Sequence, residues 1–168
     1  MDFDNDQTES KMHAKRLGRE LAMQFLFQCE MNAVTPEMGV WQEFFEEMKA
    51  EHGLRDNRYA RKGREYAEFL FTNIVIHQDE IDGTIRTRSE NWEFDRLSLV
   101  DRNLMRIAVC EMLFDDSVPP VVSINEAVEI AMDYSGDKSG AFINGVLNGV
   151  KDTLTRPARE GRKAGDTK

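Results

Sequence analysis

Apolar residues recur along this chain every three or four positions, in segments separated by short polar breaks. That spacing places them on one face of an α-helix, because side chains three and four apart lie above one another. The clearest segment is Leu97 to Phe114, LSLVDRNLMRIAVCEMLF, where almost everything from Leu104 onward is apolar. Asp101, Arg102 and Arg106 share one face of it, and Glu111 points nearly the opposite way. A helix with so narrow a polar strip is predicted to be the central strut of a bundle, covered on most sides. Ser98, with Asp101 three residues on, resembles a capping box and places the helix start there. Glu111, an acid among apolar neighbours, is expected to make a structural hydrogen bond or ion pair.

The remaining segments follow the same rule. A helix is predicted from about Lys11 or His13 to Met31, with Ala14, Leu17, Leu21, Phe25 and Cys29 as its stripe. Met1 to Ser10 lacks periodicity and is expected to be disordered. Thr35 as N-cap and Pro36 at the first helical position predict the next start, and Gly53 the next end. Met38, Trp41, Phe44, Phe45 and Met48 lie between them at helical spacing. Tyr66, Leu70 and Ile74 mark a third helix, and Asp79 is expected to cap a short one carrying Ile81 and Ile85. Pro119-Pro120 predicts an extended connection. Ser123 and Glu126 then have the form of a capping box, opening a helix that Gly136 ends. Ile143, Leu147, Val150 and Leu154 make the last stripe, and Arg156 to Lys168 is expected to be a disordered tail. No strand alternation of useful length appears. About seven helices joined by short loops predict an all-α fold over residues 11–155.

Charge complicates the picture. The 168 residues carry a formal net charge of −9, which taken alone argues against nucleic acid. The charge is unevenly spread. Lys15, Arg16 and Arg19 lie off the first apolar stripe, and Arg16, Arg19, Met23 and Phe27 run down a neighbouring face. That face could grip phosphates and stack a base, or be a solvated face with Phe27 tucked under another helix. Arg55 to Arg64, RDNRYARKGR, is a second basic cluster ahead of a helix, where positive charge opposes the macrodipole. It reads as a second anion contact or as an exposed loop balancing an acidic surface. Lys138, Ser139 and Gly140 open the last helix and offer free backbone N–H groups to an anion. Phe142, one turn in, is a stacking ring or a core residue.

Catalytic chemistry finds no foothold. GDKSG lacks the glycine spacing of a P-loop. His13, His52 and His77 are scattered without ligand spacing, and Cys29 and Cys110 read as core hydrophobes in a reducing compartment. Nothing assembles a nucleophile, a base and an oxyanion site, so neither an enzyme nor a cofactor is expected. No apolar run approaches the roughly 20 residues of a membrane span, and the acidic start is no signal peptide, so a cytoplasmic location is expected.

The motifs together resemble the NusB family of bacterial transcription antitermination factors. The matching pieces are KRLGRELAMQFLFQ (Lys15 to Gln28), DEIDGTI (Asp79 to Ile85) and NWEFDRLSLVDRNLMRIAVCEML (Asn91 to Leu113). VPPVVSINEAVEIA (Val118 to Ala131) and GDKSGAFINGVLNGV (Gly136 to Val150) complete them, while Met31 to Arg64 matches poorly. The resemblance implies a helical fold of two small subdomains, with no catalytic activity and no cofactor. It implies binding of the boxA RNA element of ribosomal RNA operons together with NusE, a small-subunit ribosomal protein, in an RNA polymerase antitermination complex. It also leaves a homodimer open. The family's arginine-rich segment falls on Lys15, Arg16 and Arg19, although one basic position is Leu17 here. A following aromatic falls on Phe27, and the ring at the start of the last helix on Phe142. Lys138, Ser139 and Asn144 would join these in contacting RNA, although the acid that many members carry just before Ser139 is displaced to Asp137. The family's acidic partner contact falls on Asp101, with Arg102 and Arg106 beside it. A protein-only helical adaptor is the alternative reading.

Overall fold

The computed structural model describes residues 3–89 and 94–155, with side chains from His13 onward. Among them are α1 (Phe3–Met31), α2 (Met38–His52), α3 (Arg58–Ile76), α4 (Gln78–Arg88), α5 (Leu99–Phe114), α6 (Pro120–Ser135) and α7 (Asp137–Lys151). A 3₁₀ turn at Phe94–Arg96 precedes α5, and no strand occurs among the described residues. The all-α expectation is borne out. The chain divides into two compact units, Met1–Val75 and Ile76–Lys168.

The first unit is built on aromatic packing. Phe25 of α1 lies with its ring centroid 5.2 Å from Trp41, 5.4 Å from Phe44 and 4.9 Å from Phe71. The Trp41 indole N–H donates to Glu68 Oε1 at 2.7 Å, so the one polar atom of this buried ring is satisfied. Helices α1 and α3 meet at two glycines. A Cβ on Gly18 would lie 2.8 Å from Tyr66 Cβ, and one on Gly63 would lie 2.6 Å from Leu17 Cδ2. Only hydrogen at these positions lets the two backbones approach so closely.

In the second unit α6 and α7 pack along each other and on α5, and α4 packs on both α5 and α7. Every residue of α5 from Asn103 to Met112 is buried, so the strut reading holds. Ser98 Oγ accepts from the Asp101 backbone N–H at 3.1 Å, the predicted cap. Glu111 is fully buried.

Several predicted boundaries are corrected. Helix α1 reaches back to Phe3, through the stretch expected to be disordered. A nucleated helix adds one hydrogen bond for each residue fixed, and no Gly or Pro interrupts residues 3–10. Helix α2 starts at Met38 after an extended Glu37, not at Pro36. Helix α4 is preceded by His77, and Asp79 sits inside its first turn, where the macrodipole favours an acid. Helix α6 begins at Pro120 rather than Ser123. Proline fits a first helical position because the N–H it lacks would have no intrahelical acceptor. Ser123 is then interior and buried, and its hydroxyl finds no partner among the described residues. Gly53 and Gly136 end their helices as predicted, at φ 59° and 90°. The predicted disordered tail, Arg156 to Lys168, lies outside the described residues.

Candidate nucleic-acid interface

Two groups of predicted contacts exist, one in each unit. On α1, Lys15 and Arg16 are half-buried. The Lys15 ammonium sits 4.8 Å from the centre of the Tyr66 ring, a cation–π distance. Arg16 Nε donates to Glu20 Oε1 at 3.2 Å, one helical turn on. Both cations keep contact with water. Arg19 does not: it is 3% exposed, with its guanidinium 5.8 Å from the Tyr66 ring centre. Met23 is buried as well. The face that spacing drew through Arg16, Arg19, Met23 and Phe27 is therefore split, with Arg16 and Phe27 half-buried and the other two inside. Sequence reasoning placed Tyr66 on a core stripe. It is half-buried, stacked on Phe69 at 5.8 Å, and it carries the cations of α1. The available signal was one glycine inside each helical pattern, Gly18 and Gly63, which marks close approach.

The second group lies around the start of α7. Lys138 and Asn144 are exposed, and Ser139 and Phe142 are half-buried. Asn148 Nδ2 donates to Asn144 Oδ1 at 3.1 Å, and Lys151 Nζ donates to Asn148 Oδ1 at 3.0 Å. These contacts form a polar ladder along α7. Ser139 Oγ donates to Asp101 Oδ2 at 3.0 Å. The hydroxyl expected to meet RNA and the carboxylate expected to meet a protein partner thus hold each other. Asp101 is 8% exposed, and its Oδ1 has no partner among the described residues.

The other two residues of the predicted partner edge fare differently. Arg102 is half-buried, with its guanidinium 5.5 Å from the Phe94 ring centre. Arg106 is 6% exposed and makes a bidentate pair with Asp82, Nε to Oδ1 at 2.8 Å and Nη2 to Oδ2 at 2.9 Å. Its Nη1 donates to Asn103 Oδ1 at 3.2 Å. An arginine committed this fully is an internal brace, and Arg106 is removed from the partner edge.

Burial also governs the cysteines. Burial and then the Glu30 charge push the Cys29 thiol up to about 11. Cys110 is pushed up further, by burial first and then by Glu111 and Asp115. Both stay protonated at neutral pH and act as small apolar groups. Among the described residues no group of three or more His, Cys, Asp or Glu could hold a metal ion, and no helix is long and apolar enough to cross a membrane.

Comparison with known proteins decides the family. The NusB family matches residues 16–152. The chain belongs to the NusB family. A relative from Desulfotalea psychrophila, named transcription antitermination protein NusB, is 42% identical over 143 residues, covering 83% of this chain and 96% of that one. T. maritima NusB superposes with a TM-score of 0.69 at 29% identity, over 86% of this chain and 92% of that one. A crystal structure of antitermination factors NusB and NusE in complex with dsRNA gives the same TM-score of 0.69 at 27% identity, over 84% and 98%. The NusB match opens at Arg16, in the basic segment of α1, and closes at Asp152, just past α7.

Proposed function

We propose that this chain is an RNA-binding transcription antitermination factor. In this reading it takes a boxA-type single-stranded element of ribosomal RNA transcripts together with NusE, within an RNA polymerase antitermination complex in the cytoplasm. Family membership supports the reading, as does a related NusB solved with NusE and RNA. The observation that carries it is the state of Lys15 and Arg16. An acidic chain of net charge −9 keeps two neighbouring cations at water on a helix pinned by the Gly18–Tyr66 contact. Lys15 and Arg16 take phosphates, and Arg19 acts from inside by holding Tyr66. Lys138, Phe142 and Asn144 supply the contacts of α7, with Phe142 stacking a base and Phe27 adding a ring on α1. No catalytic step or cofactor enters.

The test is a titration of boxA-like RNA against a scrambled RNA, single- and double-stranded, with and without NusE. Preference for the single-stranded element that sharpens with NusE is expected. Equal binding to all would favour the protein-only adaptor. Lys15→Gln with Arg16→Gln should flatten the log-log salt dependence by about 1.4, two phosphates at roughly 0.7 each on a single strand. An unaltered slope removes both residues from the phosphate path.

Asp101 is the residue proposed to face NusE. Lysine there would bury an ammonium beside the Ser139 hydroxyl and upset the fold, so asparagine is the informative replacement. Asp101→Asn keeps an oxygen for Ser139 and removes the charge. It should weaken the NusE complex several-fold while urea unfolding stays nearly unchanged. Intact NusE affinity would move the partner face elsewhere.

A further inference from the structure

The second basic cluster has no role in the function as proposed so far. Five of the ten residues from Arg55 to Arg64 are cationic and one is acidic, in a chain whose net charge is −9. The structure divides these cations. Arg64 is committed inward, donating to Glu68 Oε1 at 3.0 Å with its guanidinium 4.6 Å from the Phe45 ring centre. Lys62 pairs with Glu65 at 3.3 Å on the exposed surface, a contact weakened by water and salt. Arg55, Arg58 and Arg61 are exposed and pair with no carboxylate among the described residues. Arg58 and Lys62 are one turn apart on α3, and Tyr59 lies three residues before Lys62, so the three form one surface patch. Tyr59 is 40% exposed.

Position ties this patch to α1. Gly63 packs on Leu17, and Tyr59 is one turn before Gly63 on α3. Burial, and then the charge of Glu20, pushes the Tyr59 phenol up, and Glu20 is the carboxylate that holds Arg16. The first turns of α3 therefore lie beside the stretch of α1 that carries Lys15 and Arg16. Cations at a helix N-terminus oppose its macrodipole, so the exposed Arg55, Arg58 and Arg61 do nothing for the stability of α3. A bound polyanion would relieve that opposition.

We infer that Arg58, Tyr59 and Lys62 form a second RNA contact of the first unit, taking phosphates and one base of the strand that flanks the recognised element. The inference rests on the RNA-binding reading above. An exposed ring between two cations suits a single strand, because every base has a face to stack and every linkage a charge. An acidic protein surface would use the cations and leave the ring idle.

The test compares the element alone with the element carrying single-stranded flanks, using the full chain with NusE. Arg58→Gln with Lys62→Gln should lower the salt slope for the flanked RNA by about 1.4 and leave the bare element unaffected. Tyr59→Leu should weaken the flanked RNA by roughly 5- to 160-fold. The thermal midpoint of the Gln variant should not fall, since its charges oppose the helix dipole. An unchanged slope on flanked RNA overturns the inference, as does equal loss on both RNAs. Polyglutamate binding that the variant loses while RNA binding persists assigns the patch to an acidic protein and overturns it too. A failure of the boxA reading is separable, because it appears in the unaltered chain as equal affinity for element and scrambled RNA.

Discussion

Asp82→Ala is expected to destabilise the second unit by about 3–5 kcal/mol. The reason is the partner it abandons. Asp82 and Arg106 meet through two hydrogen bonds at 2.8 and 2.9 Å, with side chains only 7% and 8% exposed. The pair itself adds little net stability, because taking both ions out of water offsets much of their attraction. Removing one ion is different. The Arg106 guanidinium would stay among Asn103, Phe94 and the core of α5, charged and without its carboxylate. Arginine cannot escape by losing its proton. Urea unfolding followed by far-UV circular dichroism measures the loss. The control is Asp82→Ala with Arg106→Met, which removes both charges and should recover most of it. A double variant as unstable as the single would mean that packing around Asp82, rather than the stranded charge, sets the cost.

That pair also shows where the sequence was readable and where it was not. The α5 strut was legible because an apolar run interrupted by few charges has one way to be buried. Ser98, Gly53 and Gly136 were legible because caps act through neighbours in the chain. The meaning of Arg106 was not. Its partner is 24 residues away, on α4, and nothing local distinguishes an arginine on a polar strip from one that packing will enclose. Arg19 failed for the same reason, since it lies off the stripe of α1 and is covered by tertiary contact with Tyr66. Helix starts at prolines erred in both directions. Pro36 stayed outside α2 and Pro120 went inside α6, because proline suits both an extended entry and a first turn. Of the proposed RNA contacts, Lys15, Arg16, Phe142 and Asn144 were candidates in the sequence, and the family resemblance added weight to Lys15, Arg16 and Phe142. The role of Tyr66 under the cations of α1, and that of Tyr59 as a contact, needed the seam between α1 and α3.

Phe25→Ala is expected to cost the first unit about 3–5 kcal/mol. Phe25 is 1% exposed and touches Trp41, Phe44 and Phe71 at once, so its removal opens a cavity bounded by all three helices. The loss combines transfer of the ring to water, the cavity left by stiff neighbours that collapse poorly, and three edge or tilted ring contacts. Trp41 reports on the event directly, because its indole lies 5.2 Å from the missing ring. Its emission should shift toward that of a wetter indole while the Glu68 hydrogen bond competes to hold it. Phe25→Leu refills most of the volume and should recover more than half of the stability. The functional consequence follows from the chain. Lys15 and Arg16 ride on α1 two to three turns before Phe25, so the alanine variant should bind RNA in proportion to its folded fraction, with an unaltered salt slope. A changed slope in the folded protein would show that Phe25 positions the cations and does more than hold α1 in the core.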